Sequence, residues 1–241
     1  MEILCLIAAA FVTFSTLDET DASNSNNSLA DDFMDMLKLA AKPLILVFVM
    51  SAFLFVLIEQ SFQTWMPTFY KDILNVPASM SIQAGTILAG AFAIGRIAAS
   101  FVLKKMNWLY FLLICLALLV VCILLNIPLA NAATITEDVS WRNAPFVAWT
   151  FPLMGLFLAP IYPTINSIIL SSIPKYLHSS MSGLIVVFSA LGGTLGSIIT
   201  GNIFEAFDGS TAFYMSIIPI GLLTVALLIL NRMFKKQKDF T

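Results

Sequence analysis

Charge is what this chain of 241 residues has least of. Lys, Arg, Asp and Glu make up 11% of it, where an ordinary soluble domain carries about 25%. That shortfall excludes a water-facing surface for a body of this size. Lipid has to be the solvent for most of it. Net charge is −2, so no general pull toward nucleic acid or anionic lipid follows. Histidine is almost missing: His178, the single one, lies in a polar connector near Lys175. There is no HExxH, no GxSG and no Walker A loop, and "SSMSG" lacks the first glycine that GxSG needs. The chain does not read as an enzyme, no cofactor is implied, and a nucleotide-driven pump would need another subunit. Cysteine is scarce too. Cys5, Cys115 and Cys122 sit in apolar runs. The last two are two helical turns apart, about 10 Å along an axis, too far for a disulfide. They read as small hydrophobic residues.

What is abundant is apolar: 59% of the residues, with a mean hydropathy of +0.94. Six runs, near 43–68, 80–103, 108–129, 145–172, 181–205 and 211–233, are long enough to span a bilayer as helices, which takes about 20 apolar residues each. Short polar connectors such as "KDILNVPAS", "KKMN" and "FDGST" separate them. The runs lack the alternation of barrel strands, and helices satisfy their own backbone in lipid. The expected fold is an all-α membrane bundle.

A shorter apolar run at 3–15, "ILCLIAAAFVTFS", opens the chain. Glu2 stands where a signal peptide would carry positive charge. The preferred reading is a partial transmembrane helix over 1–15, the end of a span. Residues 16–42 then form a polar, acidic cytoplasmic linker ending in a short amphipathic helix with Phe33, Met34, Met36 and Leu37. Residues 234–241 read as a cytoplasmic tail. Orientation follows Lys and Arg. One side holds Lys38, Lys42, Lys104, Lys105, Lys175, Arg232, Lys235, Lys236 and Lys238; the other holds Lys71 and Arg142. The basic side is expected to be cytoplasmic, in a plasma (bacterial inner) membrane.

The spans divide into matched sets of three. The first of each set, 43–68 and 145–172, carries polar residues and a Pro-Thr pair: Pro67-Thr68 in "WMPTFY" and Pro163-Thr164 in "IYPTIN". They run in opposite directions. An inverted repeat with interrupted helices at matching positions points to a transporter's binding site; the plainer reading is that proline is simply commoner in membrane helices. In 181–205, Ser189, Gly193, Ser197 and Gly201 lie four apart, as do Gly192, Gly196 and Thr200. Small residues at that spacing let backbones approach closely.

Glu59 lies in mid-span. A carboxylate there has to be paired, hydrated in a cavity or protonated. Gln63 is one turn on and Gln60 three residues from Gln63, so the three form a polar stripe. Glu59 either lines a cavity or hydrogen-bonds a neighbouring helix. Trp65 either stacks on a sugar ring or anchors the helix at the interface. On 145–172 the matching polar groups are Tyr162 and Asn166, which share a face, with Thr164 a further candidate. Gln83 and Thr86 are weaker candidates. Arg96 either snorkels to the surface or pairs with an acid or a helix C-terminus at an inner gate.

Three stretches carry a resemblance. "FVLIEQSFQTW" (55–65), "YPTINSI" (162–168) and "SGLIVVFSALGGTLGSIITGNIFEAFDG" (182–209) resemble spans seven, ten and eleven of a major facilitator superfamily transporter, nearest the fucose/glucose–galactose:proton symporter family. "GRIAASFVLKK" (95–105) is similar to the end of span eight, with Ser100 and Lys104 where the superfamily often has a glycine and an acid. The resemblance implies the C-terminal half of a proton-coupled carrier for a sugar or other small polar solute. The partners it implies are the bilayer, the solute, protons, and a missing N-terminal half or second chain. The family's proton-carrying acids belong to the N-terminal half, so Glu59 is implied as a cavity residue. The alternatives are a carrier for a non-sugar metabolite or a non-transporting scaffold subunit.

Overall fold

The computed structural model describes residues 40–133, 139–174 and 177–238, with side chains as far as 235. The partial span expected at 1–15, most of the 16–42 linker and Lys175 lie outside the described residues. Among the described residues every regular element is helical. Six spans are long and apolar enough to cross a membrane, at 43–72, 78–102, 108–132, 146–172, 178–206 and 209–235. The protein is an all-α membrane bundle, and its spans match the apolar runs to within a few residues. One end of the bundle carries Lys42, Lys104, Lys105 and Arg232 and is called the basic end; the other is the far end.

The helix limits have local causes. α1 (Pro43–Asp72) opens on a proline, where the missing N–H costs no helix bond. It ends before Asn75, which takes a left-handed φ of 48° in the turn. α2 (Ala78–Val102) follows Pro77. α3 (Trp108–Ala132) is capped by Asn107, whose side chain accepts from the Leu109 N–H at 2.9 Å. Such a cap satisfies one of the orphan donors of the first turn.

The fourth span is broken. It consists of α4 (Phe146–Thr150), a 3-10 turn (Pro152–Met154), α5 (Gly155–Leu158) and α6 (Ile161–Ser172). Pro152 and Pro160 explain the breaks, because neither can donate to the carbonyl four residues back. Those carbonyls belong to Ala148 and Leu156. The Tyr70 hydroxyl donates to the Ala148 carbonyl at 2.7 Å, and the Leu156 carbonyl lies against Gly95 of α2. The fifth span is α7 (His178–Ala206). The sixth is α8 (Gly209–Met215), capped by Asp208, followed by α9 (Ile217–Lys238). α9 thus continues into the stretch read as a tail.

Packing shows the internal repeat. Half of the apolar window of α1 and of the fourth span is buried, against 28–33% in the other four. The first span of each triplet is therefore central. α1 packs chiefly on α7, and α2 packs chiefly on the fourth span. Exchanging the two triplets turns one pairing into the other. Glycine mediates both. Gly192 and Gly196 of α7 face the Phe53 and Leu57 carbonyls of α1, while Gly155 faces Leu88 and Phe92 of α2. Ser61 and Thr200 continue the first contact at 2.8 Å, and Trp65 and Phe204 complete it with rings 5.1 Å apart. The row Phe53, Leu57, Ser61, Trp65 thus lies on the row Gly192, Gly196, Thr200, Phe204. Rows four apart on both helices give the close, steeply crossed class of packing. An aromatic core fills the far half: Phe69 stacks on Phe151 at 4.6 Å, and Phe213 touches both Phe62 and Phe69.

A methyl group at Gly196 would meet the Leu57 backbone, which cannot step aside. Gly196→Ala is expected to destabilise by about 1–3 kcal/mol. Gly90 faces open space, so Gly90→Ala is expected to be neutral or stabilising by up to about 1 kcal/mol. Thermal unfolding of the purified protein in detergent reads both; equal effects at the two positions would contradict a close α1–α7 crossing.

Candidate functional site

α1 buries Phe55, Ile58, Phe62, Met66 and Phe69 on one face. That periodicity sends its polar residues to the edge and back of the helix. Glu59 is half-buried, and Gln63 and Thr64 are exposed. The Glu59 carboxylate has no direct hydrogen-bond or ion-pair partner among the described residues; the nearest charge acting on it is the guanidinium of Arg96 on α2. Gln63 lines a cavity of about 250 Å³ between α1 and α2, with Leu88, Ala89, Phe92 and Arg96. Gln60 turns the other way. Its side chain lies over Gly193, where a Cβ would come within 3.1 Å of it. The stripe therefore splits: Gln63 serves α2, and Gln60 packs on α7.

Trp65 joins α1 to α7. Its indole N–H donates to the Ser197 carbonyl at 2.9 Å, and its ring stacks on Phe204. The same ring borders a far-end cavity of about 520 Å³ with Thr68, Asp72, Asn202 and Glu205. Tyr162 on α6 is half-buried. Its hydroxyl shares a hydrogen bond with Ser189 of α7 at 3.0 Å, and its ring stacks on Phe55 at 5.6 Å. One turn on, the buried Oδ1 of Asn166 has no partner. These cavities do not bring Gln63 together with Tyr162 or Asn166. A ligand reaching both sets would have to bridge α1 and α6.

The gating candidates separate as well. α1 runs unbroken through Pro67; the proline only removes the donor for the Gln63 carbonyl. Pro163 stands in the first turn of α6, where the N–H groups have no helical partner anyway. The breaks in the fourth span belong to Pro152 and Pro160, and the Thr164 hydroxyl donates to the Pro160 carbonyl at 2.6 Å. Gly193 accommodates Gln60. Arg96 is exposed, with its guanidinium 5.9 Å from the centre of the Phe92 ring. No group of three or more His, Cys, Asp or Glu side chains able to hold a metal ion occurs among the described residues.

Several polar contacts went unread in the sequence. Asn126, buried in α3, donates to the Cys122 carbonyl at 2.8 Å and accepts from Thr150 of α4. It is an amide inside an apolar run, the same signal that exposed Glu59. Ser61 accepts from Thr200 and donates to helix carbonyls. Nothing in a lone serine foretells that. Gln83 is engaged by Trp141, whose indole N–H donates to it at 2.5 Å.

Six spans in two interlocked triplets, with a broken central helix and a carboxylate on its mate, define a polytopic α-helical membrane protein. Residues 2–197 match the model of the Major Facilitator Superfamily, and the chain belongs to that superfamily. Its members are transporters, not enzymes. No curated protein matches the chain.

Asn126→Ala removes the partner of Thr150, but Thr150 keeps a fallback to its own Phe146 carbonyl at 3.3 Å. The expected loss is therefore only about 1 kcal/mol, in line with interhelical hydrogen bonds in membranes. A chemical-unfolding comparison of wild type and variant in mixed micelles checks it. A loss several times larger would show that the fallback does not operate.

Proposed function

We propose that these six spans are the C-terminal half of a proton-coupled symporter for a small polar solute, with sugars the class its side chains suit best. One observation carries this reading. Glu59 sits on a central span, beside Gln63 and without a direct partner. A carboxylate left so in lipid would cost a few kcal/mol; a wet, solute-lined path removes that cost. Amides and a carboxylate together offer both donors and acceptors, which is what a polyhydroxylated solute requires. Tyr162 and Asn166 form the second polar group, on the span that mirrors α1.

Further support comes from the stretches that resemble the fucose/glucose–galactose:proton symporter family. The superfamily match starts at residue 2, well before α1, which fits a reading of 3–15 as the end of the preceding span and of 16–42 as the link between halves. Alternating access needs a second body to rock against this one, supplied by an N-terminal half or by another chain. The Lys and Arg asymmetry supports a reading with the basic end and the C-terminus in the cytoplasm and the carrier in the plasma membrane.

Glu59→Gln in the complete carrier is expected to lower proton-driven sugar uptake by about tenfold or more, roughly 1.4 kcal/mol. Sugar exchange without a proton gradient is expected to fall by a similar factor, because Glu59 is read as a solute-binding cavity residue and not as the proton-carrying acid. Radiolabelled uptake in proteoliposomes, with and without an imposed gradient, reads both. Unchanged uptake and unchanged coupling would remove Glu59 from the mechanism.

A further inference from the structure

Arg96 is shared by two cavities. One is the α1–α2 cavity beside Gln63. The other, about 350 Å³, lies between α2 and α6 toward the basic end, walled by Arg96, Ser100, Trp108, Pro163, Thr164 and Ser167. That volume falls in the range of small-ligand sites, about 300–1,000 Å³. Among the described residues no acidic side chain lines either cavity.

The polar groups of the α2–α6 cavity are mostly donors. A guanidinium has five N–H groups and no acceptor. The Trp108 indole N–H and the Ser167 hydroxyl have no hydrogen-bond partner among the described residues. Ser100 and Thr164 already donate to the carbonyls of Ile97 and Pro160, at 2.7 and 2.6 Å. Three donors therefore remain free around one space. Arg96 itself meets the Phe92 ring and feels Glu59 only at a distance. It stands six residues before the end of α2, about 9 Å deep. An arginine in a span is costly unless compensated, and its planar fork fits carboxylate and phosphate.

We propose that the α2–α6 cavity is an oxyanion site, in which Arg96 grips a carboxylate or phosphate group and Trp108 and Ser167 supply further donors. The anion is either part of a soluble acid or the headgroup of an anionic lipid. The site shares Arg96 with the α1–α2 cavity, but the proposal does not rest on the sugar–proton reading.

The test uses the full chain in phosphatidylcholine nanodiscs and reads the part of the tryptophan fluorescence that Trp108→Phe abolishes. Glucuronate and glucose 6-phosphate are the soluble probes, and glucose is the neutral control. For a soluble source, both acids change the signal saturably and glucose does not. For a lipid source, the acids are silent, and brominated phosphatidylglycerol quenches more than brominated phosphatidylcholine. Either result supports an oxyanion site if Arg96→Gln weakens the response by about tenfold or more, the loss of one charge-assisted contact. Should Arg96→Gln not fold, Ser167→Val carries the test, with a loss of about threefold expected. The proposal is overturned if neither anion source gives a selective signal, or if the response survives unchanged in the folded variant.

Discussion

The crossing of α1 on α7 is the contact on which the rest of the bundle depends. In lipid no hydrophobic force draws helices together, because the tails are as apolar as the side chains. Attraction has to come from close packing and from polar contacts made at short range. Gly192 and Gly196 let the α7 backbone lie directly on the carbonyls of Phe53 and Leu57. At that separation Ser61 can reach both Thr200 and the Gly196 carbonyl, and Trp65 can reach the Ser197 carbonyl. A single added methyl would hold all three apart. The mate of this contact, α2 on the fourth span, uses Gly95 and Gly155 in the same way. Two central helices are thus each clamped by a glycine-bearing neighbour from the opposite triplet.

The prolines of the fourth span look like defects until their freed carbonyls are followed. Each proline removes a donor and leaves an acceptor four residues back, which lipid cannot satisfy. Ala148 receives the Tyr70 hydroxyl from the end of α1. Leu156 is covered by the close approach of Gly95; the Pro160 carbonyl is not among the freed ones, since it accepts from both the N–H and the hydroxyl of Thr164. Neighbours on α1 and α2 pack against the break. This explains why the fourth span stays among the most buried helices despite carrying the least regular backbone.

The polar side chains follow from the same geometry. Because α1 is gripped on one side by α7, Gln60 is spent on packing over Gly193 and Trp65 on bridging to Phe204. Glu59 and Gln63 remain on the side of α2, where Arg96 supplies the opposite charge. Arg96 in turn opens onto a second, donor-lined space against α6. The bundle therefore presents an acceptor-bearing α1 and a donor-bearing α2–α6 cavity side by side.

Span number, span limits, the pairing of first spans and the importance of the Gly192–Gly196–Thr200 row were all legible from hydropathy, Lys and Arg placement and spacing. These signals are local: each depends on what one helix must show to lipid or to its neighbours. Asn126 carries the same signal as Glu59, a polar side chain inside an apolar run. Which polar residues serve packing and which stay available was not legible. A stripe of Glu59, Gln60 and Gln63 reads as one face at helical spacing, yet the crossing angle of α1 and α7 divides it. Nor could sequence tell that Pro163 is harmless while Pro160 breaks the helix, since that depends on where α6 begins. The sequence by itself determined that this is a bundle of spans with a polar central helix, because lipid admits few other solutions. Only the tertiary structure decided which polar groups face a cavity, because a helix's free side is set by what its neighbours cover.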